Sequence, residues 1–230
     1  MYELYIGNKN YSSWSLRPWV LMWTLDIPFQ ERFMPFDPGG YGASRERFRD
    51  FSPTGLVPCL HDGGTVVWDS LAIAEYLAER HTGVWPGTPQ SRAWARSAAA
   101  EMHGGFGALG DVCSMNVGVR VRLRETSTAL ARDIARLDEL WTDGLARFGG
   151  PFLAGNNFSA VDAFYAPVAF RVQTYGLELS GDAAAYAERL LALPAMQRWE
   201  ADALAETLRE PGHEADLDRA GTLIEDRRAT

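Results

Sequence analysis

Three short stretches of this chain hold residue types that could handle a thiol and an amino-acid-like ligand. The first is Tyr11-Ser12-Ser13-Trp14-Ser15-Leu16-Arg17-Pro18, where hydroxyls cluster between a strand-like run and a helical pattern. A helix N-terminus presents unpaired N–H groups and a partial positive charge. A thiolate placed there is stabilised, and a serine hydroxyl can donate one more hydrogen bond to the sulfur. Together these lower a thiol pKa from about 8.5 toward neutrality. Ser12 is the first candidate for that donor because it directly follows the strand. Ser13 is the alternative, since a one-residue shift of the helix start exchanges their roles. Plain capping of the helix by either serine competes with both.

The second stretch is Ser52-Pro53-Thr54-Gly55-Leu56-Val57-Pro58-Cys59-Leu60. Proline at the head of a buried strand cannot donate to the ladder. A cis Val57-Pro58 bond would turn the Val57 N–H and C=O outward, toward a ligand's own backbone; an ordinary edge-strand proline is the competing reading. The third is Asp69-Ser70 at the start of a helix. Ser70 offers a hydroxyl and an N–H to a carboxylate, and Asp69 offers a charge to an ammonium, so the pair suits an amino-acid head group. A plain N-cap is the alternative. A fourth stretch, Ser159-Ala160-Val161-Asp162 behind Phe158, has capping-box spacing and is assigned to folding.

The elements that must position these residues are legible from periodicity. Tyr2 to Gly7 reads as a buried strand, and Trp14 to Leu25 as a helix with Leu16, Trp19, Val20 and Trp23 on one stripe. Phe29 to Pro35 is a second strand, Asp37 to Tyr41 a loop, and Arg45 to Phe51 a short helix or turn. Val57 to Leu60 and Thr65 to Trp68 form a hairpin about Asp62-Gly63-Gly64, and a helix carrying Leu71, Ala74, Leu77 and Ala78 follows. This β-α-β-(α)-β-β-α order is that of a thioredoxin-like domain, expected over residues 1–82. The Gly- and Pro-rich stretch beyond it predicts a linker over 83–92. From 93 to 230 the pattern is helical, with no strand expected. Examples are Leu130-Ile134-Leu137-Trp141-Leu145 and Val161-Phe164-Tyr165-Val168-Val172. The fold class is thus α/β plus all-α, a thioredoxin-like domain followed by a helical bundle. The polar stretch from Leu208 reads as an ordered fringe or a frayed tail.

Composition excludes several functions. The chain has 230 residues, 47% of them hydrophobic, and a formal charge of -8, which gives nucleic acid no electrostatic attraction. Arg120, Arg122 and Arg124 form the one dense basic run and read as a solvated helix face. Cys59 and Cys113 have neither CxxC nor Cys/His spacing, so no disulfide scaffold and no metal site are expected. No apolar run reaches the roughly 18 residues of a membrane span, and Met1-Tyr2-Glu3-Leu4-Tyr5 has no charged leader. A reducing cytoplasm fits these features.

In this order the motifs resemble the cytosolic glutathione transferase superfamily over nearly the whole chain. Ser12-Ser13-Trp14-Ser15-Leu16-Arg17 resembles the serine motif of the zeta class, Val57-Pro58 the family's cis-proline element, Asp69-Ser70-Leu71-Ala72-Ile73 the step that grips the γ-glutamyl group, and Phe158 through Asp162 the family's folding cap. Two positions depart from zeta isomerases: Trp14 stands where they carry cysteine, and Thr174 where they carry arginine, with Arg171 a turn earlier. The resemblance implies glutathione as co-substrate, a small hydrophobic electrophile, and a homodimer. Trp14 and Phe106 are the residues expected to line the electrophile's pocket. The competing functions are isomerisation of the maleylacetoacetate type and a glutathione-fold binding module with little chemistry. A thioredoxin-type disulfide reductase is ranked last, because serines hold the active-site positions.

Overall fold

The computed structural model describes residues 1–39 and 42–229. Strand β1 (Tyr2–Ile6) buries Tyr2, Leu4 and Ile6 on one face, the period-two pattern of a strand laid on a core. Helix α1 (Ser13–Thr24) crosses over to β2 (Phe29–Phe33), which therefore pairs parallel with β1, Leu4 opposite Glu31. A short helix, α2 (Arg45–Phe48), precedes β3 (Cys59–Asp62), which runs antiparallel to β1 on its other side. β4 (Thr65–Trp68) folds back on β3 through Gly63-Gly64, giving the sheet order β2-β1-β3-β4. Helix α3 (Ser70–Ala78) completes the expected thioredoxin-like unit. The loop expected over Asp37 to Tyr41 is described as far as Gly39; Gly40 and Tyr41, like Thr230, lie outside the described residues.

Helix α4 (Pro89–Gly104) begins inside the stretch read as linker. Proline suits that first position because its missing N–H would be unpaired anyway, and Thr88 caps the turn by accepting from Ser91 N–H at 3.2 Å. The second part is helical as expected: α5 (Gly107–Val112), α6 (Thr128–Phe148), α7 (Ala160–Tyr175), α8 (Gly181–Leu191), α9 (Pro194–Ala205) and α10 (Pro211–Ala220). One feature corrects the expectation. β5 (Val119–Leu123) and β6 (Gly221–Asp226) form a two-stranded antiparallel sheet. The Arg120-Arg122-Arg124 run is therefore not a helix face. Val119 and Val121 alternate with Arg120 and Arg122, burying the valines and turning the arginines toward solvent and main-chain carbonyls. Beyond Leu208, Pro211–Ala220 form α10 and Gly221–Asp226 form β6.

The two parts share one apolar core. Leu16, Trp19 and Val20 of α1 belong to the same buried cluster as Val161 and Phe164 of α7. Trp19 meets Trp199 of α9 edge-on at 5.1 Å. No helix among the described residues is long and apolar enough to cross a membrane.

Helix α7 is the buried axis of the second part, and its start is built as the spacing of Ser159 and Asp162 predicts. The Asp162 carboxylate accepts from Ser159 N–H at 2.9 Å, Leu153 N–H at 3.0 Å and the Tyr186 hydroxyl at 2.8 Å. Burial pushes its pKa up to about 6 against those bonds. Asp162→Ala leaves three buried donors unpaired, each worth about 1–3 kcal/mol, so urea unfolding should show a loss of about 3 kcal/mol or more. Because the folded-state pKa exceeds the unfolded one, the group's stabilising contribution is present at low pH and lost as pH rises through about 6. Asp162→Asn should flatten that part of the stability–pH curve.

Candidate functional site

A cavity of about 350 Å³ opens between the first turn of α1, the α2–β3 loops, and the α5, α7 and α10 ends of the second part. Ser12, Ser13 and Trp14 form one wall; Phe36, Phe48, Leu56 and Met115 make it apolar; Arg45, Arg171 and Glu210 bring charged groups to the lining, and His213 an imidazole.

The two serines have different jobs. Ser12 is the N-cap of α1: its oxygen accepts weakly from Ser15 N–H at 3.4 Å, and its hydroxyl donates to Ser15 Oγ at 2.7 Å. Ser15 Oγ in turn accepts from Gly7 N–H at 3.2 Å, tying the helix start to the end of β1. The Ser13 hydroxyl makes no hydrogen bond among the described residues and faces the cavity. Val57 also lines the cavity, and the Val57-Pro58 bond is cis, as the sequence predicts. Neither the Val57 N–H nor its C=O is bonded among the described residues. Gly55 just before it has φ of 67°, and a side chain there would collide with the Arg45 carbonyl, so the loop can lie flat against α2 only with glycine.

Asp69, Ser70 and Pro58 are not among the residues that line this cavity. The Trp14 ring meets His103 edge-on at 5.1 Å, and His103 Nε2 lies 3.2 Å from Asp69 Oδ2. Asp69 caps α3, accepting from Leu71 N–H at 2.8 Å, with its backbone at φ 73° and ψ 134°, a region costly for a side-chain-bearing residue. Such strain concentrates at binding sites, and this carboxylate remains open to solvent. Ser70 is buried and its oxygen accepts from Arg17 at 3.5 Å. Arg17 itself is stacked under Trp14 at 4.1 Å, with a buried Nε that has no partner. Burial pulls its pKa down to about 9, with Arg171 adding repulsion and Asp69 opposing it.

Phe106 is the site residue that the structure moves elsewhere. Helix α4 stops at Gly104, and Phe106 turns into α5 in a left-handed conformation with its ring in the core. Gly110, Ser114 and Met115 take the wall expected of it. Residues outside the quoted motifs also contribute. Arg171 is 7% exposed, lines the cavity, and has no hydrogen bond or ion pair among the described residues; its Nε is buried and unpartnered. Burial lowers its pKa, and nearby Cys113 and Tyr175 only partly offset this. Thr174 is not in the cavity; its hydroxyl donates to the Asn116 carbonyl at 2.8 Å. Both cysteine thiols are buried, and desolvation pushes them up to about 11 for Cys59 and about 12 for Cys113, so neither supplies a thiolate. From the tail, Glu210 and His213 reach the cavity at the start of α10. His213 and Glu210 have no motif to mark them; Tyr11 belongs to the hydroxyl-rich stretch that the sequence singles out, without a role assigned to it there.

A thioredoxin-like domain with a cis-proline loop, joined to a helical domain across a shared cleft, defines the class. The family model described as the glutathione S-transferase N-terminal domain matches residues 11–80, and that of the C-terminal domain matches residues 120–202. The chain belongs to the glutathione transferase superfamily. It is 43% identical over 63 residues to a dichloromethane dehalogenase of Methylorubrum extorquens, covering 27% of this chain and 21% of that one. It is 26% identical over 138 residues to a stringent starvation protein A homologue of Haemophilus ducreyi, covering 59% of this chain and 61% of the relative. The chain thus spans about a fifth of the first curated relative and about three fifths of the second. A Burkholderia glutathione transferase homologue solved with bound glutathione superposes with a TM-score of 0.63 at 20% identity, over 88% of this chain and 97% of that one.

Proposed function

We propose that this protein is a glutathione transferase that activates the thiol of glutathione for attack on a small hydrophobic electrophile. The observation that carries the reading is that the Ser13 hydroxyl and the Val57 peptide, both unbonded among the described residues, open on one cavity. Glutathione fits what these residues lack. Its cysteinyl backbone supplies partners for the Val57 N–H and C=O. Its γ-glutamyl ammonium suits Asp69, and its γ-glutamyl carboxylate suits Ser70 with the Arg17 charge behind it. Its thiol falls at the start of α1, where the helix dipole favours the thiolate. Arg45, on the opposite rim, is the cation offered to the glycine carboxylate. The hydrophobic wall of Phe36, Phe48, Leu56 and Met115 suits the electrophile. The match to a dehalogenase supports displacement of a halide as the reaction type. The expectations of a two-fold dimer, a cytoplasmic setting and a detoxifying role rest on the family alone.

Glutathione titrated calorimetrically should bind, and Asp69→Ala with Ser70→Ala should weaken it by about tenfold or more, since hydrogen bonds to charged groups contribute about 1.5–3 kcal/mol each. Unchanged affinity in the double mutant would remove the γ-glutamyl assignment.

Of the two serines, Ser13 is the better donor to sulfur, because the Ser12 proton is committed to Ser15. Ser13→Ala should lower turnover of an aromatic halide near neutral pH by about ten- to a hundredfold, with much of the rate recovered as pH rises and the thiolate forms unaided. Ser12→Ala should mainly weaken the helix start, by about 1 kcal/mol. The reverse pattern returns the role to Ser12. If neither variant shifts the profile, main-chain N–H groups alone hold the thiolate, or the chain is a non-catalytic binding module.

A second reading, isomerisation or conjugation of a carboxylate-bearing substrate, is favoured by Arg171, a buried guanidinium facing the cavity without an anion. Arg171→Met should raise KM about tenfold or more for an electrophile carrying a carboxylate and leave a neutral analogue unaffected. The same change should raise the melting temperature, because it removes a buried uncompensated charge. Equal effects on both electrophiles would exclude the carboxylate subsite.

A further inference from the structure

One carboxylate of α10 is tied to both walls of the cavity although it is not among the residues that line it. Glu214 Oε1 accepts from the Tyr11 hydroxyl at 2.7 Å, from Arg228 at 2.6 Å and from the Asn116 side-chain amide at 3.3 Å. Glu214 Oε2 accepts from Arg228 at 3.0 Å. We propose that Glu214 is a positioning residue: through Tyr11 it holds the Ser13 corner, and through Asn116 the wall of Ser114 and Met115, at the spacing where a glutathione thiol meets its electrophile. This rests on the glutathione transferase reading.

Each arm of the tie reaches the cavity by a short path. Tyr11 is buried, its ring lines the cavity, and its carbonyl accepts from Ser13 N–H at 2.9 Å. A displaced Tyr11 therefore displaces Ser13, whose hydroxyl is the one offered to sulfur. Asn116 is buried and directly follows Ser114 and Met115, which line the cavity; its carbonyl is held by the Thr174 hydroxyl at 2.8 Å. The Arg228 side chain is 4% exposed and also donates to Asp226 at 2.7 Å. Burial pushes the Glu214 pKa up, but the bonds from Arg228 and Tyr11 outweigh this and hold the group below the ordinary carboxylate value. Arg209 adds attraction from the chain before α10. An ionised oxygen thus meets the three donors, and hydrogen bonds to an ionised acceptor are shorter and stronger than neutral ones. Tyr11 is not a reactant: burial and its bond to Glu214 raise its pKa above the ordinary tyrosine value. Glu214 makes and breaks no bond in the reaction. Its contribution is geometric, because reacting atoms must be held about 3–3.5 Å apart and a displacement of about 1 Å costs about a hundredfold in rate.

Tyr11→Phe isolates the proposal. It removes one hydroxyl, keeps the ring, and leaves Glu214 paired with Arg228 and Asn116. With glutathione and chlorodinitrobenzene as substrates, its kcat should fall about tenfold or more. KM for glutathione and the affinity for S-methylglutathione should stay within about twofold, because neither depends on where the electrophile sits. The thiol pKa of bound glutathione, read from the ultraviolet absorbance of the thiolate, should rise by about half a unit or more as the Ser13 donor drifts from sulfur. Glu214→Ala should lose at least as much kcat, and Glu214→Gln, which keeps an acceptor for Tyr11, should recover most of it. A purely structural anchor would lower the melting temperature and leave kcat and the thiol pKa of the folded enzyme in place. Tyr11→Phe with wild-type kcat and thiol pKa therefore overturns the proposal, whatever its melting temperature. So does a loss confined to KM and S-methylglutathione affinity. If Glu214→Ala does not fold, Tyr11→Phe decides alone. If the wild type binds no S-methylglutathione, or leaves the thiol of bound glutathione at its solution pKa, the transferase reading falls and the proposal with it.

Discussion

The loop from Asn8 to Ser12 is held from the other half of the molecule, and the direction in which α1 points its N-terminus depends on that grip. Glu206 accepts from Lys9 N–H at 2.7 Å and from Asn10 N–H at 3.4 Å. The Asn10 amide donates to the Ala203 carbonyl at 2.5 Å, and its oxygen accepts from Gly118 N–H at 3.1 Å. Trp199 donates to the Lys9 carbonyl at 2.8 Å. The Lys9 ammonium, 4% exposed as a residue, sits between the Trp19 and Trp199 rings and pairs with Glu31 and Asp202. A connection of this kind would ordinarily run over the surface and be mobile. Here its polar groups are satisfied largely by Trp199, Asp202, Ala203 and Glu206, far along the chain, so the serines that follow are set by tertiary structure. The α/β half does not carry its own reactive corner; the helical half aims it.

The same grip extends through the tail. Tyr11 donates to Glu214, and Arg228 clamps Glu214 at 2.6 Å and Asp226 at 2.7 Å. Both carboxylates are held below their ordinary values; at Asp226 the bond from Arg228 is the largest cause, whereas at Glu214 it acts against a larger opposing effect of burial. Against this well-paired surround, the cavity is electrostatically unfinished. An acidic chain of net charge -8 has surface carboxylates in excess, yet Arg171 in the cavity and Arg17 behind Trp14 are buried with Nε atoms that have no hydrogen-bond partner, and no ion pair, among the described residues. Aromatic faces offset part of the cost: Arg17 lies over Trp14 and 5.0 Å from the Phe164 centroid. Stacking is worth far less than the solvation a guanidinium gives up. A protein keeps such charges where an anion arrives to complete them, which on the proposed reading is glutathione's carboxylate, the thiolate, or the second substrate.

How much of this was legible in the sequence depends on the distance over which each pattern acts. The β-α-β-β-α order, the α3 cap at Asp69 and the capping box at Asp162 are local, and periodicity or i-to-i+3 spacing finds them. The sheet of β5 and β6 is not, although Val119-Arg120-Val121-Arg122-Leu123 alternates with period two. Its partner strand lies about a hundred residues later, and the surrounding helical periodicity drowned a five-residue signal. Phe106 was misplaced because the order of α4 and α5 says nothing about where the chain turns between them. Ser12 and Ser13 could be located but not distinguished: the choice turns on one hydroxyl bonding Ser15. Glu210 and His213 lay in a polar stretch that reads as a fringe, and nothing in its composition says that it folds back over the cavity.

These outcomes divide the site into two kinds of surface. On the proposed reading, the glutathione-holding residues Ser12, Ser13 and Val57 of the cavity, with Asp69 and Ser70 outside it, come from the first 70 residues in sequence order, and their groups are main-chain amides, hydroxyls and one carboxylate. Such groups complement a ligand of fixed shape and fixed charges, and a chain that binds that ligand has little freedom to vary them. The opposite wall comes from Gly110 of α5, Ser114 and Met115 just beyond it, Arg171 of α7, and Glu210 and His213 at the start of α10. On the proposed reading, this wall faces whatever the thiol attacks. The chain departs from the zeta pattern on both sides: Trp14 stands within the serine motif, and Thr174 is turned to Asn116 with Arg171 facing the cavity instead. A site with one invariant ligand and one variable ligand is expected to be readable by motif on the first side and only by structure on the second, because only the first side's chemistry is the same from protein to protein.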